Sequence, residues 1–254
     1  MSGKRLASGG LLLLILTLPW ALGGCGPSVQ GLVHDPSFVY PALAQGGITA
    51  GGVVSLQETL SSEQQALYGS FMRDGFVDQR QDLTIAPMDS VVEALGLARY
   101  KSMLEGFTLM GSLAPETLGR LADSYNRTRY IAFARVEGDR LSQDRRRNES
   151  TNSLGLPEEV VTSVSTRTTT MTLKVYDLQQ EREVWSGSIT FSGHNSLEYR
   201  RLGTGYSQVL GLINEVAQMF QTDDEAFPYP DYPLIEDNLL NLFAQFGYSL
   251  PQAD

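Results

Sequence analysis

The feature that most constrains this chain is a pair of β-rich runs between residues 160 and 191. From Val160 to Leu178 the sequence is dense in Val and Thr. In its second half Met171, Leu173 and Val175 alternate with Thr168, Thr170, Thr172 and Lys174. That two-residue period is the signature of a strand with one buried face. The polar stretch Asp177 to Glu183 follows, and the chain then returns with Trp185, Ile189 and Phe191 on one face. Two such runs joined by a short polar turn predict a long antiparallel hairpin near residues 160–191.

The flanking segments supply the rest of a sheet and its cover. Ile48, Val53, Val54 and Leu56 read as a buried strand, with Gly51 and Gly52 permitting a bulge or close backbone approach. Ser61 and Ser62 can cap a helix to about residue 79, whose Ala66, Leu67, Phe71 and Met72 share a face, with Gly69 and Gly75 interrupting its regularity. Leu83–Met88 reads as a short strand. Asp89 or Ser90 can cap a helix, residues 99–113 read as helix plus loop, and Pro115 suits the first turn of another helix. Tyr130–Leu141 is apolar on both sides at its start, as a central strand would be. Residues 142–158 read as a polar loop, and Tyr206 to Phe220 carries a helical period that would pack on the sheet. Phe227–Pro233, with three prolines, reads as extended. The apolar residues from Leu234 to Phe246 are expected to dock as a helix, since a detached arm would leave a large apolar patch in water. The fold class expected is α/β in the mixed, α+β sense: a single mixed sheet with flanking helices.

The amino terminus reads as a targeting segment. Lys4 and Arg5 precede Leu11–Leu18, an apolar run of eight residues, and the exit is Ala21-Leu22-Gly23-Gly24-Cys25. Charged start, short apolar core and small-residue exit describe a secretory signal, too short for a permanent membrane span. The expected organisation is a leader at 1–24, a Gly-, Pro- and Ser-rich tether at 25–45, an α/β domain at 46–220 and an acidic C-terminal segment at 221–254. Pro36 and Pro41 would keep the tether extended. The whole chain of 254 residues carries 19 Lys and Arg against 29 Asp and Glu, a net −10, and without the leader this becomes −12. Such a chain repels phosphate backbones, so nucleic acid is not an expected partner. Cys25 is the only cysteine, which excludes an internal disulfide.

Candidate chemistry is sparse. His194 follows the hairpin in Ser-Gly-His-Asn-Ser, but no G-x-S-x-G accompanies it, so a structural or solvated histidine is expected. His34 lies in the tether, and its spacing from His194 does not predict a metal site. Gly203-Thr204-Gly205 lacks the third glycine and lysine of phosphate loops. No catalytic residue, metal or cofactor is therefore expected. Arg145, Arg146 and Arg147 form the one basic cluster, read as a solvated loop or a contact for an acidic partner.

Leu22, Gly23, Gly24 and Cys25 resemble the lipobox of bacterial lipoproteins. The resemblance implies that the Cys25 thiol receives a diacylglycerol, that the leader is cut before it and that the new amino terminus is acylated. Gly26 stands where that family often has an inner-membrane retention Asp, which favours the outer membrane, with the inner membrane's periplasmic leaflet the alternative. The element order and the hairpin with Val175-Tyr176-Asp177-Leu178 and Val184-Trp185-Ser186-Gly187 resemble a group of envelope lipoproteins. It includes the curli-secretion channel lipoprotein and the activators of penicillin-binding proteins. The resemblance implies a non-enzymatic protein, held on the membrane through Cys25, that binds another envelope protein as a tethered adaptor, activator or assembly component. The alternatives are a self-assembling secretion or ring component (a homo-oligomer) and an envelope hydrolase. A membrane pore is disfavoured, because residues 97–113 and 142–158 do not read as pairs of alternating strands.

Overall fold

The computed structural model describes residues 29–153, 155, 157–202 and 226–253. Cys25, the lipobox, Gly203-Thr204-Gly205 and the helical period at 206–220 lie outside them. In chain order the elements are β1 Gln30–His34, α1 Tyr40–Gly46, β2 Ile48–Ser55, α2 Ser62–Gln79, β3 Ile85–Ala86, α3 Asp89–Leu95, α4 Leu97–Met110, α5 Pro115–Ser124, β4 Tyr130–Thr151, β5 Pro157–Asp177, β6 Arg182–Leu202 and α6 Ile235–Ser249. Six strands form one mixed sheet in the order β1-β6-β5-β4-β2-β3. The β2–β3 and β2–β4 pairs are parallel and the others antiparallel. The mixed α/β class expected from the pattern is the class observed.

Helices cover both faces of the sheet's root. On one face α1, α2 and α6 bury Leu43, Met72, Phe76, Leu239, Leu242, Phe243 and Phe246 against Ile48, Ala132, Met171, Leu173, Val175, Trp185 and Ile189. On the other, α3, α4 and α5 bury Val91, Tyr100, Leu104, Phe107, Leu118 and Leu121 against Val54, Ile131, Phe133 and Tyr176. Alternate residues of β4 and β5 thus feed two cores, which is why Tyr130–Ala134 is buried throughout.

Local chemistry sets the element boundaries. Ser61 and Gln64 form a reciprocal capping box at the start of α2. Gly52, at φ +148°, forms part of the β2 bulge, where its missing side chain leaves room for the Tyr100 hydroxyl donating to the Gly51 carbonyl at 2.9 Å. The β5–β6 turn is fastened by the fully buried Asp177 carboxylate. It accepts from the Gln179 and Gln180 amides, and from Arg129 Nη2 at 2.6 Å.

Two expectations are corrected. Residues 30–46 are not a free tether: β1 pairs with β6, and Phe38 and Leu43 are fully buried. Pro41 sits in the first turn of α1, where its fixed φ and missing N–H start a helix instead of holding the chain extended. Residues 142–158 are not a loop either. β4 runs on to Thr151 and β5 begins at Pro157, paired without a break in register from Gly138–Thr170 to Thr151–Pro157.

Candidate interaction arm

The long outward extension of β4 and β5 defines the site. β2 ends at Ser55, opposite Val136, and β1 reaches no farther along β6 than Ser188. Beyond those points residues 138–151, 157–170 and 190–202 continue as three antiparallel strands. At about 3.3 Å per residue they project roughly 40 Å from the helical layers. Among the described residues no strand pairs with the outer side of β4 or of β6 along this stretch. Among the described residues the arm therefore presents two long open edges, rows of backbone donors and acceptors able to pair with another strand.

Its two faces differ. One face carries Ser142, Thr162, Thr166, Thr168, Thr170, Thr190, Ser192 and Ser196, half-buried or exposed. Cross-strand hydroxyl pairs join Thr168 to Ser192 at 2.8 Å and Thr170 to Thr190 at 2.9 Å. Arg146 is on this side, 76% exposed and paired with Asp144 at 3.0 Å. The opposite face is crossed by Phe227–Pro233, which runs from the outer arm back to α6. Its prolines at 228, 230 and 233 have no N–H, so it cannot join the sheet as a strand. Side chains of the arm take its carbonyls instead. Arg145 Nη2 and Ser163 Oγ donate to Phe227 at 2.8 and 3.1 Å, and Tyr199 Oη to Pro228 at 2.7 Å. Ser165 Oγ donates to Pro230 at 2.6 Å, Asn195 to Asp231 at 2.9 Å and Arg167 to Pro233 at 3.1 Å. The Arg145 guanidinium lies 4.5 Å over the Tyr229 ring, and that of Arg147 lies 5.6 Å over Phe227.

The arginine triplet is thus divided by the strand period: Arg145 and Arg147 hold the proline-rich segment, and Arg146 faces away from it. The sequence marked the cluster and the prolines, but not that one receives the other. At the arm's root a polar network closes the joint. Fully buried Asn238 donates to the Arg167 carbonyl and to Thr169, each at 3.0 Å. Thr169 in turn donates to Asp139, which pairs with Arg167 at 3.3 Å.

The histidines do not meet. His194 is exposed, opposite Thr166 in the arm. His34 pairs with Trp185 nine residues nearer the root of the same strand, about 30 Å away by strand rise, and its Nε2 donates to the Phe38 carbonyl at 2.7 Å. Among the described residues no three His, Cys, Asp or Glu side chains are grouped to hold a metal ion, and no helix is long and apolar enough to cross a membrane.

No protein-family model and no curated protein matches the chain. Among solved structures it is similar to a PelC dodecamer from Paraburkholderia phytofirmans, at 14% identity and a TM-score of 0.36. That match covers 90% of this chain and all of the other. It is also similar to lipoprotein GNA1162 from Neisseria meningitidis, at 13% identity and a TM-score of 0.27, covering 68% of this chain and 94% of the other. Likenesses this distant carry no inference about what the chain does.

Proposed function

We propose that this chain is a lipid-anchored protein of the bacterial envelope, facing the periplasm, that works without catalysis by contacting other proteins through its projecting arm. The observation that carries the reading is the arm itself. Three strands leave the helical layers with two open edges and a hydroxyl-lined face, a geometry suited to adding a strand from a partner. Acylation of Cys25 would hold the domain at the membrane, preferentially the outer one, and raise its effective concentration near membrane-bound partners.

The two open edges also favour a second reading, self-assembly, in which the β4 edge of one copy meets the β6 edge of the next. Both strands run outward, so arms that point the same way would join through a parallel seam. A photocrosslinking residue at Ser142 on β4 or at Ser196 on β6, in living cells, separates the two. One recurrent foreign envelope protein supports the adaptor. Ladders of this chain alone support assembly, and absence of any adduct from both positions refutes the arm as the contact element. In the same cells His194→Ala is expected to leave the phenotype unchanged; a lost phenotype with an intact fold would reopen the envelope hydrolase reading.

A further inference from the structure

We infer that Phe227–Pro233 is a strap that holds the outer arm in order, and that strap and outer arm form a unit that loosens apart from the helical body. Two observations carry this. First, the outer arm has no core of its own. Its open face is mainly hydroxyl and charge, with Val160 and Val164 only half-buried, and a narrow three-stranded ribbon without a covered apolar face is not stable alone. Yet Val161, Ser163 and Ser165 have no exposed surface. The strap lies over this face, with Phe227 6% exposed and Tyr199 packed 5.8 Å from its ring.

Second, the strap is attached to the body at one end. Pro233 leads directly into α6, whose Leu239, Leu242, Phe243 and Phe246 are fully buried. Asn238, one turn into α6, grips the arm's root at Arg167 and Thr169. Gly193 makes the joint possible, because a Cβ there would stand 2.6 Å from Asn238 Oδ1. The seating of α6 thus fixes the strap, and the strap fixes the arm. With the strap seated, the described residues of the arm offer a partner the edges and the hydroxyl face. Loosening it would uncover the carbonyl-reading row Arg145, Ser163, Ser165, Asn195 and Tyr199.

Native-state hydrogen exchange read by mass spectrometry tests this on the purified chain without any partner. The double variant Arg145→Ala/Tyr199→Phe removes donors to two strap carbonyls and touches no residue of the two helical cores. Amides of residues 158–167 and 192–200 are expected to exchange at least about tenfold faster than in the wild type. Those of 131–136 and 171–175 should keep their rates. Tyr199→Phe alone keeps the ring against Phe227 and should give a smaller acceleration of the same amides. Unchanged exchange in the arm would overturn the strap, and equal acceleration in the body would overturn its separateness. Because the proposed function is tested by crosslinking to a partner, either idea can fail while the other stands.

Discussion

At the scale of single residues, glycines separate space from conformation. Gly52 and Gly96 both have positive φ, +148° and +78°. A Cβ on Gly96 meets nothing within 4 Å, whereas on Gly52 it would stand 2.4 Å from the Tyr100 hydroxyl, inside a core where Tyr100 is 2% exposed. Gly96→Ala should therefore cost only backbone strain, about 1 kcal/mol. Gly52→Ala should cost about 3 kcal/mol, since the tyrosine must move and give up its hydrogen bond to Gly51. Urea denaturation midpoints of the two variants check the ranking, and equal shifts would refute it. Burial also pushes the Tyr100 and Tyr176 hydroxyls well above the usual tyrosine range. For groups raised on folding, the contribution is complete below the unfolded value, about 10, and falls as pH rises toward the folded value. In alkaline titration these phenols should ionise together with the loss of near-ultraviolet circular dichroism. Ionisation of all tyrosines with the tertiary signal intact would contradict their burial.

At the scale of elements, α2 and α6 touch at glycines. A Cβ on Gly75 would stand 2.7 Å from Phe243 Cβ, and one on Gly247 would stand 3.4 Å from the Gly75 carbonyl oxygen. Gly75→Ala should destabilise by about 2 kcal/mol, because two packed backbones must separate. Gly106→Ala, in α4 with open space around it, should stabilise by about 0.5–1 kcal/mol through helix propensity alone. Thermal melts of the pair should move in opposite directions. In the sequence Gly75 read only as an interruption of a helix, since a crossing partner far along the chain leaves no local mark. The hairpin was legible for the opposite reason. Where Met171, Leu173 and Val175 bury one face, alternation is written into the residues. Along the outer arm that alternation disappears, because one face meets water and the other meets the carbonyls of Phe227 and Pro230, taken by Arg145, Ser163 and Ser165. Polar side chains suit both, so 142–158 read as a loop and the arginines as a solvated cluster. The helix at α1 was hidden similarly: Pro36 and Pro41 signalled extension, and only the packing of Phe38 and Leu43 shows that the second proline starts a helix.

At the scale of the whole molecule, the division of labour in the proposal is between an anchor and a folded arm-bearing domain. Each can be removed separately. Cys25 lies ahead of β1, whose antiparallel pairing to β6 fixes where the described fold begins. If Cys25 is acylated, membrane attachment follows from buried methylenes at about 0.8 kcal/mol each, and a stable hold requires more than one chain. Cys25→Ser removes the acceptor thiol and should move the protein from the membrane to the soluble fraction of fractionated cells. No residue of either helical core changes, so the purified domain should keep the wild-type melting temperature. The variant should also lose its partner crosslinks in cells while an excess of purified domain still forms them, because anchoring raises encounter without building the surface. Retention of the Cys25→Ser chain in the membrane fraction would refute lipid anchoring. Crosslinks undiminished after release would show that the arm finds its partner without a membrane to concentrate it.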